Sequence, residues 1–259
     1  MTPTSVTARR DSPARAAMID AAERIVAERG LTALTLRAVQ EAAGQSNKSA
    51  ANYHFGTRDG LVGAVLAERM DPIAVHRQAM LDALDAEPPT HPEAMLRALA
   101  EAFVVPLARR VLLVPGSAYA RFLAQSMVSP ELAGLITEHS TLFTVEETRR
   151  RMVAVLTAAG TRPGLDEETA RWRTAGLLGH VVGALAAAEA AADGAVHSPA
   201  LPFPPPAFPV PGAATSPGRV TARLVDTCHG LLTAPAGPDA LDLHSPAPHT
   251  PPPIQEEHR

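Results

Sequence analysis

Proline divides this chain more sharply than any other residue. Of 25 prolines, 15 fall in the last 61 residues, from Pro199 onward, and ten in the 198 before them. Proline fixes φ and donates no backbone hydrogen bond, so residues 198–217 can be neither a helix interior nor a central strand. They read as an extended linker, and residues 234–259 read as a disordered proline-rich tail. Between them lies one island, Arg219 to Leu232, with Val220, Leu224, Cys228 and Leu231 at helical spacing. So short a helix is marginal alone and must dock elsewhere.

Ahead of the linker, Ala, Leu, Arg and Glu dominate and no alternating segment competes. This predicts an all-α chain of about nine helices. Ser12-Pro13 is a cap followed by proline at the first helical position, opening a helix that ends at Arg29-Gly30. Met18, Ile19, Ala22, Ile25 and Val26 form its apolar face, with Asp20 and Arg24 paired on the wet side. Thr35 caps a second helix that Gly44 stops, and a third runs from about Asn47 to His54. Thr57 or Asp59 opens a fourth that reaches Met70, where Pro72 is expected to break or kink the chain. Further helices are expected at about 73–86, 93–112, 117–127, 130–158 (with a break near His139-Ser140) and 166–192. Asp166 caps the last of these, and Glu167 and Glu168 suit its dipole.

Composition excludes several classes. With 27 acidic against 23 basic residues the net charge is −4, so any nucleic-acid-binding surface must be local. A single cysteine excludes a disulfide framework and a cysteine-rich zinc site, and fits the cytoplasm. No secretory signal pattern is evident at the start of the sequence. The apolar run from Gly176 to Ala188 contains His180, stops at Glu189, and is shorter than the roughly 18 residues of a membrane span. No HExxH, GxGxxG or P-loop is present, and the histidines show no ligand spacing. Cys228 and His229 are neighbours and on a helix do not face each other. No enzyme chemistry, metal or cofactor is expected.

The functional signal lies at 35–65, TLRAVQEAAGQSNKSAANYHFGTRDGLVGAV. A short helix, a glycine-containing turn, a second short helix and an aromatic-glycine-basic junction follow helix-turn-helix grammar. The second helix is unusually polar: Ser46, Asn47, Lys48, Ser49 and Asn52 offer donors and acceptors, while Ala50 and Ala51 keep the surface low. Such a helix can enter a major groove and meet base edges. Residues 1–60 hold eight basic and six acidic residues, a local reversal of the overall sign.

This segment resembles the TetR family of transcriptional regulators over about residues 13–66. The resemblance rests on R-G-L-T at 29–32, T-L-R at 35–37, A-G-x-S at 43–46, Y-H-F-G at 53–56 and the T-R-D-G-L that follows. The sequence departs from the family pattern at Gln40 and Gln45, places Asn52 where most members carry a tyrosine, and spaces Ser46 from Phe55 one residue further apart. The resemblance implies that Thr35 and Arg37 touch phosphate. Lys48, Ser49 and Asn52 would lie in the groove, with Tyr53 and His54 near the backbone. Thr57 and Arg58 would hold another phosphate at a helix N-terminus. Arg37 also reads as a plain helix charge, and Tyr53 and Phe55 as junction packing.

The same resemblance implies a flexible arm at 1–12, a DNA-binding domain at 13–60 and a helical effector-binding and dimerisation domain at 61–233. Candidate pocket residues are Phe103, Tyr119, Phe122, Gln125 and Met127, then Phe143, Trp172 and His180; each also reads as ordinary core. Arg121 reads either as an ion-pair partner or as an anion anchor. Gly176, Gly179, Gly183 and Ala186 form a small-residue face on the 166–192 helix. Val220, Leu224, Cys228 and Leu231 are expected to dock on it, and a second chain to complete a four-helix interface. The implied function is a homodimeric repressor on a palindromic operator, released by a small molecule. The alternatives are an activator or ligand-independent repressor, or a helical scaffold that binds no DNA.

Overall fold

In a computed structural model, residues 12–47, 49–132, 142–158, 164–194 and 216–235 are described, and among them all regular structure is helical. The N-terminal unit comprises α1 (Pro13–Arg29), a 3₁₀ turn (Leu31–Ala33), α2 (Leu36–Ala42) and α3 (Ala50–Phe55). It is followed by α4 (Arg58–Ala86), α5 (Pro92–Leu112), α6 (Tyr119–Met127), α7 (Leu142–Thr157), α8 (Glu167–Ala192) and α9 (Pro217–Thr233). The arm at 1–11, Lys48, the break near His139-Ser140, the linker from 198 to 215 and the tail from 236 lie outside the described residues.

Local chemistry sets most boundaries. The Thr35 side chain accepts from the Ala38 amide at 3.1 Å and starts α2. Asp166 accepts from the Thr169 amide at 2.8 Å and starts α8. Gly44 takes φ +66 at the turn after α2. Met18, Ile19, Ala22, Ile25 and Val26 are all buried, as the helical pattern requires.

Three expectations are corrected here. Pro72 neither breaks nor ends a helix, because α4 runs through it for 29 residues. Pro72 is exposed, so water can meet the Glu68 carbonyl that it deprives of a donor. Asp20 turns to Arg69 of α4 rather than to Arg24; a tertiary partner displaces the helical neighbour. The third helix starts at Ala50, later than expected, because Asn47 Oδ1 accepts from the Ser49 amide at 3.0 Å and holds a turn there.

A second proline, Pro106, sits inside α5. The carbonyl that it strips of its donor is Ala102, four residues earlier. Arg77 of α4 takes that carbonyl with Nε at 3.2 Å, and its Nη2 reaches the Phe103 carbonyl at 3.4 Å. Arg77 is buried, and burial lowers its pKa to about 10.

The larger unit is built on α5 and α8. α9 packs chiefly on α5, and α8 packs on α6 and α7. The α9 stripe is therefore covered within its own protomer: Val220, Leu224 and Cys228 are buried, joined by Val225 and Leu232. Leu231 is 45% exposed, and Leu232 takes the inward slot because it continues the i+4 progression from Leu224 and Cys228. Arg173 of α8 secures the end of α9 by donating to the carbonyls of Leu232 at 3.3 Å and Pro235 at 2.9 Å. By length and composition α8 could cross a membrane, contrary to the reading of its shorter apolar run, but its Leu177, Val181, Val182 and Leu185 side is buried in the helical core.

Candidate nucleic-acid interface

The α2-turn-α3 unit presents a low polar surface. Ala50, Ala51 and Phe55 are buried toward α1 and α4, which turns Asn52 and Tyr53 outward. Ser46, Asn47, Ser49 and Asn52 are exposed, and Tyr53 is 62% exposed. Thr35 is exposed beside them, and although its oxygen accepts the cap bond, its O–H remains a donor. Arg37 is exposed, with Nε 2.7 Å from Glu41 Oε1, a contact that raises its pKa. Both readings of Arg37 fit this placement. Lys48 lies outside the described residues.

Gln40, marked as a departure, has a structural task. Its Oε1 accepts from the Ala51 amide at 3.4 Å and ties α2 to the start of α3. Gln45 Nε2 donates to the Ala43 carbonyl at 3.2 Å within the turn.

The junction after α3 explains the Y-H-F-G-T-R-D-G run. Gly56 adopts φ +72 and ends α3. Thr57 then caps α4 by accepting from the Gly60 amide at 3.0 Å. A Cβ on Gly60 would lie 2.1 Å from the Phe55 carbonyl oxygen, so only glycine lets the two helices approach this closely. Arg15 of α1 lies 5.9 Å from the Phe55 ring centroid. His54 is half-buried; burial, then the charge of Arg15, lowers its pKa, and its Nδ1 is buried without a partner.

Arg58, expected at a phosphate, is half-buried and already engaged by protein groups. Its Nη1 lies 3.2 Å from Glu131 and its Nη2 donates to the Leu31 carbonyl at 3.2 Å. A guanidinium fork can satisfy a carboxylate and a stray carbonyl of the 3₁₀ turn together, so this arginine joins the N-terminal unit to the larger one.

The expected pocket residues separate into three groups. Phe103, Tyr119 and Phe122 are buried core, with the Tyr119 and Phe122 rings stacked at 6.4 Å; Met127 packs at its margin, and half-buried His180 has its pKa lowered by burial. Phe143 and Trp172 do not line a core, being 72% and 79% exposed on the outer faces of α7 and α8. Gln125 and Arg121 are committed elsewhere. Gln125 binds the backbone of the N-terminal unit at Val26 and Leu31. Arg121 pairs with Asp193 and approaches Glu189 at 3.7 Å, so the ion-pair reading holds.

The small-residue face of α8 is split. Gly176 and Gly179 are exposed, Gly183 is half-buried and Ala186 is wholly buried. Sequence reasoning missed Glu189, which is buried and accepts from Ser117 Oγ at 2.7 Å, the Ala120 amide at 3.2 Å and the Arg121 amide at 3.0 Å. It thus caps α6 from α8. Its signal was an acidic residue in an otherwise apolar helical run.

Residues 18–65 match the family model for bacterial regulatory proteins of the tetR family. Comparison with curated proteins gives no match.

Proposed function

From a chain that carries at residues 18–65 the DNA-binding domain of the tetR-family regulators, we propose a homodimeric repressor that binds a palindromic operator and is released by a small molecule. Residues 13–60 read the DNA and residues 61–233 bind the effector and dimerise. Thr35, Ser46, Asn47, Lys48, Ser49, Asn52, Tyr53, His54 and Thr57 face the duplex, with Lys48 and Asn52 as the base readers. Arg37 supplies phosphate contact by leaving Glu41, an exchange that costs little at an exposed pair. Arg58 contributes by orientation of the unit.

The observation that carries this reading is the position of α6. It is capped by Glu189 of α8 at one end and bonded through Gln125 to α1 and the 3₁₀ turn at the other. A ligand that favours one setting of α6 shifts the population of the spacing between two DNA-reading units. The exposed Gly176 and Gly179 face of α8, flanked by Trp172, is the surface a second protomer covers.

An electrophoretic shift with the DNA upstream of the protein's own gene tests the reading. Binding should be sequence-specific and fall severalfold or more between 50 and 200 mM salt. Asn52→Ala should cost roughly 1–3 kcal/mol on the operator and relax sequence preference. A chain that selects no genomic fragment is a scaffold instead, and the repressor reading fails.

A further inference from the structure

The core contains polar groups that the fold leaves without partners. Tyr119 is wholly buried, and its hydroxyl has no hydrogen-bond partner. The Nη1 of Arg110 is likewise buried and unpartnered, and this guanidinium lies 6.0 Å from the Tyr119 ring centroid. Arg77, also buried, donates only to carbonyls of α5 and to Thr144 Oγ1 at 3.2 Å. Arg77 and Arg110 thus have no carboxylate in ion-pair contact among the described residues. Arg69 differs: it donates to Glu23 at 2.5 Å and to Asp20.

The charges therefore do not balance. Three guanidiniums act on the Tyr119 hydroxyl from α4 and α5, against two carboxylates of α1: Glu23, which also acts on it, and Asp20, which shares Arg69 and acts on Arg110. Buried polar groups in proteins are nearly always satisfied, and an unpaired one costs free energy that a bound group can recover. Two donors, the Tyr119 hydroxyl and Arg110 Nη1, together with surplus positive charge, specify an acceptor that is negatively charged. Phe122 stacked on Tyr119 and Phe103 under Arg77 at 5.8 Å make the surroundings apolar.

We infer that the effector is an apolar molecule with one anionic head, a carboxylate in the simplest case, taken by the Tyr119 hydroxyl and Arg110 with Arg77 behind them. This rests on the effector reading above and names the ligand's class. It also supplies a route to α1. A negative group here competes with Glu23 for the positive field of Arg69 and Arg110, and the Arg69 contacts to Asp20 and Glu23, beside the Arg15–Glu68 pair at 2.8 Å, join α1 to α4.

Calorimetric titration and thermal melting of the full chain test this with two matched sets: octanoate, octanamide and octylammonium, and phenylacetate, phenylacetamide and phenethylammonium. At least one carboxylate should bind tenfold or more tightly than its amide and its amine, raise the melting temperature and release operator DNA. Tyr119→Phe should lose about tenfold of the carboxylate's affinity and none of the amide's. The variant should itself melt no lower than the parent, because it removes an unpaired buried hydroxyl. Arg110→Gln should weaken the carboxylate alone.

The inference is overturned if no carboxylate outbinds its amide and amine, or if Tyr119→Phe leaves carboxylate affinity unchanged. If an amide or amine binds and releases operator while the carboxylates do not, the effector reading stands and the anionic head falls. If a compound binds but leaves the protein on its operator, the effector reading is what fails.

Discussion

The side-chain amide of Gln125 is bonded to the backbone on both sides of Gly30: its Oε1 accepts from the Leu31 amide at 2.8 Å and its Nε2 donates to the Val26 carbonyl at 3.0 Å. The two partners lie 94 and 99 residues away in sequence. One residue of α6 therefore closes the end of α1 and the start of the 3₁₀ turn. Arg58 adds a second tie by joining the Leu31 carbonyl to Glu131.

Gln125→Ala should leave the Leu31 amide without its acceptor. The expected cost is about 1–3 kcal/mol, the range for orphaning a part-buried donor. Hydrogen exchange is the specific readout: the Leu31 amide should exchange faster in the variant, while amides in the middle of α8 keep their protection relative to global stability. An unchanged Leu31 rate would show that the contact does not persist in solution.

Two glycines in adjacent turns of α4 should respond oppositely to alanine. At Gly60 the new Cβ would meet the Phe55 carbonyl oxygen at 2.1 Å, a backbone atom that cannot step aside cheaply. At Gly63 nothing lies within 4 Å. Gly60→Ala should lower stability by about 1–3 kcal/mol or more, the usual range for forced overpacking, and displace α3. Gly63→Ala should raise it by roughly 0.5–1 kcal/mol through helix propensity. Chemical denaturation of the pair decides the matter, and equal effects would contradict the close approach.

That contrast shows what a sequence can and cannot display. Pro13, Thr35, Asp166 and the positive-φ glycines act within a few residues, so the starts of α1, α2 and α8 and the turn at Gly44 are legible from spacing, although the Ser12 side chain, expected to cap α1, accepts no cap bond. The helix-turn-helix unit is legible for the same reason: its caps, small residues and junction glycine occupy one short stretch. Gln125, Arg58 and Glu189 act across 27 to 99 residues, and nothing beside them in sequence marks their partners. Pro72 and Pro106 look alike as helix breakers, yet one is relieved by exposure and the other by Arg77 from another helix. The exposure of Phe143 and Trp172 was hidden because few rings invite the assumption that each is core.

Glu189 should impose a pH dependence on stability. Burial is the main cause that raises its folded pKa from 4.5 to about 7, against the opposing bonds from Ser117, Arg121 and Ala120. A carboxyl that holds its proton more tightly when folded favours folding most below its unfolded value. That contribution is lost progressively as pH rises from 4.5 to about 7 and is constant above. The loss is on the order of 3 kcal/mol. His54 and His180, with pKa lowered by burial, act in the opposite direction, since folding disfavours their protonation below about 6.5. The difference between the parent and Glu189→Gln isolates the carboxyl, since Gln keeps an acceptor for the α6 amides. Melting curves at pH 5 and pH 8 should show the parent losing stability relative to the variant as pH rises. A constant difference would mean that Glu189 stays ionised throughout.

The last prediction concerns the face of α8 proposed above as the dimer surface. Leu224→Glu cannot test it, because Leu224 is buried against its own protomer and a charge there unfolds the chain directly. Gly179 is the better position. It is exposed, nothing lies within 4 Å of where its Cβ would be, and it shares a helical face with Trp172, Gly176 and Gly183. In the isolated protomer Gly179→Glu should be neutral or stabilising by up to about 1 kcal/mol, since glutamate is the better helix former. In a symmetric dimer the same substitution brings two like-charged carboxylates into a surface that must lose its water, which is costly. The variant should therefore run as a monomer by light scattering while retaining its helical signal. Its operator affinity should fall toward that of a single DNA-reading unit, because the two half-sites are no longer held together. A Gly179→Glu chain that remains dimeric and binds operator as the parent does would place the interface on another face, and the outward residues of α9, including Leu231, would be the next to examine.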